Sequence, residues 1–217
     1  MICRATFFRR PLFLIFLRCF LTFSRHCRLI SETKPKMTVA NAEILRLLAD
    51  PDRRNDGFAL LVEAYTEPLY WHLRRMVVVH EEAEDLLQEA WIKIFASVDD
   101  YRGEGDALRA WCYRIATNTA IDRLRRRCRW RFVTLDSVGR ELAGLVTQEQ
   151  NETSEEVGVK FQQAILSLPA KQRLIFNLRY YDELAYDEIS RVTGISESSC
   201  KTNYHYAQLR VKELMRR

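Results

Sequence analysis

From residue 38 onward, apolar residues recur at intervals of three and four, and no stretch alternates convincingly with period two. The chain therefore predicts helices almost throughout. Asn41 is placed to cap a short helix carrying Ile44, Leu47 and Leu48. A longer helix from about Asp56 to Val77 lines Phe58, Leu61, Tyr65, Leu69 and Leu73 along one stripe. Pro68 lies inside it and predicts a kink or short break. The clearest periodicity follows, with Ala83, Leu86, Leu87, Ala90, Trp91, Ile94 and Phe95 on one broad face. Asp85, Gln88, Glu89 and Lys93 point away from that face, and Ile92 lies near them. Glu81, Glu82, Glu84 and Asp85 place negative charge at the start of this helix, where the macrodipole favours it.

The stretch from Asp99 to Gly105 contains two glycines and Tyr101, a polar loop with turn chemistry. Asp106 is placed to cap the next helix, whose inner stripe is Leu108, Trp111, Cys112, Ile115 and Thr119. Arg114, Asn118 and Arg125 fall along another of its faces. Residues 132–159 lose the core pattern beyond Leu142 and Leu145 and predict a linker with at most one short helix. Patterning resumes with Phe161, Ile165 and Leu166, and Pro169 sits where a helix can start. Ala185, Ile189 and Val192 supply the inside of a short helix, Gly194 the turn, and Ser196 the cap of a last helix. That helix carries Cys200, Tyr204, Ala207, Val211 and Leu214 inward. Two short helices around a glycine turn, the second capped and polar, read as a helix-turn-helix, against a generic helical hairpin. The expected fold is all-α: two small helical domains, at 38–128 and 160–217, joined by a flexible acidic linker at 129–159.

Charge sharpens this division. The formal net charge is +5, yet residues 1–36 hold eight Lys or Arg against one Glu, so the remainder is slightly acidic. Residues 43–100 carry 6 basic and 13 acidic side chains, and residues 102–131 carry 9 and 3. Residues 132–159 carry 1 and 6, and residues 160–217 carry 10 and 6. Two basic blocks suit nucleic acid, and the acidic helix between Glu81 and Lys93, with Ile92 among carboxylates, suits a protein partner or a solvated face. Arginine density at 123–131, with Trp130 inside it, fits phosphates and bases but also RNA or an acidic membrane surface.

The first 36 residues differ from everything after them. Their apolar run from Pro11 to Leu17 is broken by Arg18 and is shorter than the roughly 20 residues needed to span a bilayer. We expect translation to start at Met37, leaving 1–36 outside the fold; a basic membrane- or partner-binding extension and an export signal are the alternatives. The six cysteines form no C-x-x-C pair, and only four histidines are present, so neither a metal site nor another cofactor is expected. A reduced, cytoplasmic compartment fits best. No phosphate-cradling glycine loop or nucleophile arrangement is present, and no catalytic residue or small-molecule substrate is expected.

Two segments carry a family resemblance. The first is AEDLLQEAWIKIF at 83–95 with RAWCYRIATNTAIDRLRRR at 109–127; the second is LPAKQRLIFNLRYYDELAYDEISRVTGISESSCKTNYHYAQLR at 168–210. In this order they resemble the extracytoplasmic-function group of sigma factors in the sigma-70 superfamily, over residues 40 to 215. The resemblance implies that Asp85, Gln88, Glu89 and Ile92 dock on the clamp helices of the largest subunit of RNA polymerase core, with a second contact to the flap region. It implies that Tyr101, Arg102, Arg109, Arg114, Asn118 and Arg125 engage the −10 promoter element. It implies that Ser198, Lys201, Thr202 and Asn203, with His205 and Tyr206, contact the −35 element. Many relatives have arginines where Asn203 and Tyr206 stand, so Lys201 and Arg210 are left to supply phosphate affinity. An anti-sigma partner is permitted by the resemblance. The nearest rival is a helix-turn-helix repressor or activator acting on duplex DNA without polymerase. It accounts for 168–215 but leaves the acidic helix and the Asn118 helix without a joint purpose.

Overall fold

The computed structural model describes residues 41–129 and 155–216, which form helices and short connections with no strand among them. The expectation for residues 1–36 and most of the linker expected at 129–159, residues 130–154, lie outside the described residues; residues 155–159 are not linker but the first turn of a helix, begun by Glu155. In chain order the helices are α1 (residues 41–49), α2 (Arg54–Val77), α3 (His80–Ser97), α4 (Gly105–Arg129), α5 (Glu155–Leu166), α6 (Ala170–Tyr180), α7 (Tyr186–Thr193) and α8 (Glu197–Arg216), with a 3₁₀ turn at Val98–Asp100.

Helices α2, α3 and α4 pack against one another around Leu61, Tyr65, Leu69, Leu73, Leu86, Ala90, Ile94 and Leu108, all buried. The α2 helix runs on through Pro68, so of the kink or short break expected there no break occurs. Proline removes the hydrogen bond to the carbonyl four residues back. Here that carbonyl belongs to Ala64, and both Ala64 and Pro68 are exposed, on the side of the helix open to solvent. Asn41 does not act as the expected cap. It is buried, its Nδ2 donates to the Gly105 carbonyl at 3.1 Å, and its Oδ1 accepts from the Tyr65 hydroxyl at 2.8 Å. One amide thus ties α1 to α2 and to the start of α4. Gly57 allows the close approach of α1, because a Cβ there would sit 2.7 Å from the Leu48 backbone nitrogen. The side chain of Asp106, the expected cap of α4, lies outside the described residues. Phe95, expected inside, is half exposed; its ring meets Phe58 edge-on at 4.8 Å and lies under the Arg54 guanidinium.

The last four helices follow the sequence pattern closely. Ile189 and Val192 are buried on α7, and Cys200, Tyr204, Ala207 and Val211 on α8. Between them Gly194 adopts φ 71°, ψ 12°, a left-handed turn. The Ser199 amide reaches the Ser196 hydroxyl at 3.4 Å, a long capping bond. At the start of α7, the Ala185 amide donates to the Glu188 carboxylate at 2.7 Å; Ala185 has no side-chain oxygen to return the bond. A Cβ on Gly194 would meet nothing within 4 Å. Gly194→Ala therefore isolates backbone strain, and we expect a loss of about 1 kcal/mol in urea denaturation, without repacking.

The patterns did not announce that the two halves share one apolar core. A single cluster runs from Ile44, Leu61 and Cys112 to Leu184, Ile189 and Val211. Helix α7 packs along α4, and α6 packs on α2. This explains why α4 is buried over more than its predicted stripe, with Ala110, Tyr113, Ala116, Thr117 and Ala120 also enclosed.

Candidate polymerase and nucleic-acid interfaces

Three exposed faces carry the residues singled out by sequence. On α3, Asp85 and Gln88 are exposed, and Ile92 is the most open of the large apolar side chains among the described residues, at 70%. Glu89 is less free. Its carboxylate accepts from Lys93 at 2.9 Å and from Arg123 on α4 at 3.4 Å. The Lys93 hydrogen bond, opposed by some desolvation, holds the Glu89 carboxyl below its ordinary value. Lys93 also donates to Thr119, so this acidic face is braced against the basic end of α4.

On α4, Arg114, Asn118 and Arg125 are exposed in line, as their spacing predicts. Arg125 lies 3.6 Å from Asp122, a solvated pair of little energetic weight. The loop before α4 is folded tightly. The ring of Tyr101 lies 4.9 Å from that of Trp111, and its hydroxyl donates to the Glu104 carbonyl at 2.7 Å. Partial burial pushes the phenol up to about 12. Gly103 makes this fold possible, since a Cβ there would collide with the Tyr101 ring. Arg102 is exposed and turns back to the Asp99 carbonyl at 2.6 Å. Arg109 stands apart from the other five. Its guanidinium donates to the backbone carbonyl of Asp182, between α6 and α7, and lies 5.6 Å from the Tyr113 ring centroid.

On α8, Ser198, Lys201, Thr202, His205 and Tyr206 are exposed. Thr202 donates its hydroxyl to the Ser198 carbonyl at 2.9 Å. Asn203 is half-buried, and its amide donates to the Ser199 carbonyl at 2.7 Å, so it is turned along its own helix. The Lys201 ammonium lies 5.7 Å from the centroid of Tyr186, which also carries Arg179 at 5.0 Å. A tyrosine at the start of α7 thus gathers two cations beside the exposed face of α8, a placement spacing alone did not show.

Sequence reasoning missed His72, Arg75, Thr117 and Asp182. One signal was legible: His72 falls on the same stripe as Tyr65 and Leu69, where a histidine must be buried and partnered.

An exposed, capped helix behind a glycine turn, beside a second helix bearing a line of arginine and asparagine, defines an all-helical DNA-binding protein. Residues 61–130 match the model of Sigma-70 region 2, and residues 158–207 match that of Sigma-70 region 4. The chain is 32% identical over 169 residues to the ECF RNA polymerase sigma factor SigW of Bacillus subtilis, covering 74% of this chain and 90% of that protein. It is 29% identical over 166 residues to the RNA polymerase sigma factor YlaC of the same organism, covering 75% and 94%. The chain belongs to the extracytoplasmic-function group of RNA polymerase sigma factors, and directs polymerase in transcription initiation. Among solved structures, the sigma factor RpoE in complex with the anti-sigma factor NepR from Bartonella quintana has the same fold, with TM-score 0.57 and 22% identity over 73% of this chain and 96% of that one. Among the described residues no helix is long and apolar enough to cross a membrane.

Proposed function

We propose that the three faces divide the work of initiation. Residues 38–128 form the unit that holds polymerase and reads the −10 element, and residues 160–217 the unit that reads the −35 element. Asp85, Gln88, Glu89 and Ile92 dock on the clamp helices of the largest polymerase subunit, and the C-terminal unit meets the flap. The Tyr101 loop with Arg114, Asn118 and Arg125 captures unstacked bases of the −10 non-template strand. Unstacking costs a few kcal/mol, and a surface that binds only the extruded base shifts the equilibrium toward melted DNA. Helix α8 enters the −35 major groove with Ser198, Lys201, Thr202, His205 and Tyr206 outward, Asn203 contributing from the side. Polymerase performs nucleotidyl transfer in the cytoplasm, and this chain supplies recognition alone. RpoE of Bartonella quintana was solved with an anti-sigma factor, and we assign this chain a partner of the same kind.

The observation that carries this reading is the open face of α4. Arg114 and Asn118 stay exposed on a helix otherwise enclosed by α2, α3 and α7. Run-off transcription with sigma-free core and genomic promoter fragments tests it. Discrete transcripts should require both proteins, and Asp85→Ala and Asn118→Ala should each lower their yield about tenfold, the scale of one lost hydrogen bond to a charged or buried partner. Tight binding to duplex DNA by the chain alone, with no core-dependent transcript, would replace this reading with a repressor or activator.

A further inference from the structure

The outward face of α8 turns much of its hydrogen-bonding capacity back onto its own helix. Ser198, Thr202 and Tyr206 lie one turn apart on one line, and Lys201, His205 and Leu209 on the next. Thr202 donates its hydroxyl to the Ser198 carbonyl at 2.9 Å. With its oxygen turned to the backbone, an exposed threonine presents its methyl outward. The Asn203 amide nitrogen donates to the Ser199 carbonyl at 2.7 Å and lies 3.3 Å from the Ser199 hydroxyl. The Ser198 hydroxyl is 3.3 Å from that of Ser196. Lys201 is drawn to the flank of the helix, its ammonium 3.9 Å from the Glu197 carboxylate and 5.7 Å from the Tyr186 ring centroid on α7. What these bonds leave uncovered is largely apolar: the Thr202 methyl, the Tyr206 ring, 56% exposed, and Leu209 a turn further on.

The major groove distinguishes base pairs by their donors and acceptors and, at thymine, by a C5 methyl. Guanine and adenine are read by side chains that offer two hydrogen bonds at once, whereas a threonine methyl or an aromatic ring pairs with the thymine methyl. Asn203, whose amide is the kind of group that reads adenine, has its nitrogen held by Ser199. Thr202 and Tyr206 stand four residues apart, about 6 Å along the helix, against a base-pair rise of about 3.4 Å. The methyl and the ring therefore meet bases one or two steps apart. His205 sits beside them as a polar neighbour, its ring 6.0 Å from that of Tyr206.

We propose that this chain reads its −35 element through thymine: the Thr202 methyl and the Tyr206 ring pack on thymine C5 methyls in the major groove and set the base preference there. This rests on the assignment of α8 to the −35 element. The test uses holoenzyme, the full chain with polymerase core, on a promoter fragment that supports its run-off transcription. Each −35 thymidine is replaced by deoxyuridine, which deletes the C5 methyl and keeps every hydrogen-bonding group of the pair. At two positions the replacement should weaken binding about threefold to fourfold, the scale of one buried methyl group. Thr202→Ser keeps the hydroxyl and deletes only the methyl. It should weaken binding of the parent fragment by a similar factor and abolish the response at one of the two positions. Tyr206→Ala should abolish the response at the other. Both side chains are exposed, so neither variant should disturb the fold. A −35 element without A·T pairs, deoxyuridine fragments bound as tightly as the parent, or losses that persist in both variants would overturn the proposal. So would a larger loss on replacing guanine by 7-deazaguanine, which deletes the N7 acceptor and would return recognition to hydrogen bonds. Holoenzyme indifferent to scrambling of the whole −35 element would instead overturn the assignment of α8 beneath it.

Discussion

Ile92→Asp should cost about two orders of magnitude in affinity for polymerase core while leaving the fold intact. The side chain is 70% exposed and contributes almost nothing to the interior, so the melting curve should move within the usual range for surface changes, about 0.5 kcal/mol. At a protein interface the balance reverses. Burying an isoleucine contributes about 1.5–3 kcal/mol, and an aspartate in its place buries a carboxylate without a partner. Glu89, one turn before it, adds like-charge repulsion. A total of about 3 kcal/mol corresponds to roughly a hundredfold in the dissociation constant. Fluorescence titration of labelled chain with core measures it directly. Unchanged affinity would place the docking surface elsewhere than the acidic face around Ile92.

The same asymmetry explains which features the sequence made legible. Period and capping are local, so the inward residues of α8, the Gly194 turn and the exposed line of Arg114, Asn118 and Arg125 could all be read before any coordinates. At Pro68 the sequence left a kink and a break open, because the penalty for a missing amide depends on whether water reaches the Ala64 carbonyl, which one-dimensional spacing cannot say. Asn41 was misread for a related reason: a small polar residue before an apolar run suits a cap, but here Tyr65 and Gly105 compete for the same amide. Arg109 is the most instructive. On its helix it belongs with the arginines of the −10 face, and only the arrival of the α6–α7 connection gives its guanidinium a carbonyl to hold. Contacts between the two halves leave no periodic trace, since each half satisfies its own pattern whether or not the other is present.

Ile189→Ala should reveal whether those halves behave as one body. Ile189 is fully buried on α7, and its truncation should remove about 2–5 kcal/mol through lost transfer energy and the cavity left behind. A C-terminal region of about 60 residues is marginal by itself, so a loss of this size would unfold it if it stood alone. All four tryptophans, Trp71, Trp91, Trp111 and Trp130, lie in the other half of the sequence. Tryptophan fluorescence therefore reports mainly on the N-terminal half and on what reaches it through the contacts between the halves. With Leu184 and Ile189 in the same apolar cluster as Leu61 and Cys112, we expect the fluorescence transition and the helical ellipticity to fall together, by roughly 5–15 °C. An early loss of ellipticity beneath an unmoved tryptophan transition would show that the cluster is contiguous but not cooperative. Coincident transitions would show that the two halves unfold as one cooperative body, joined by the shared apolar cluster.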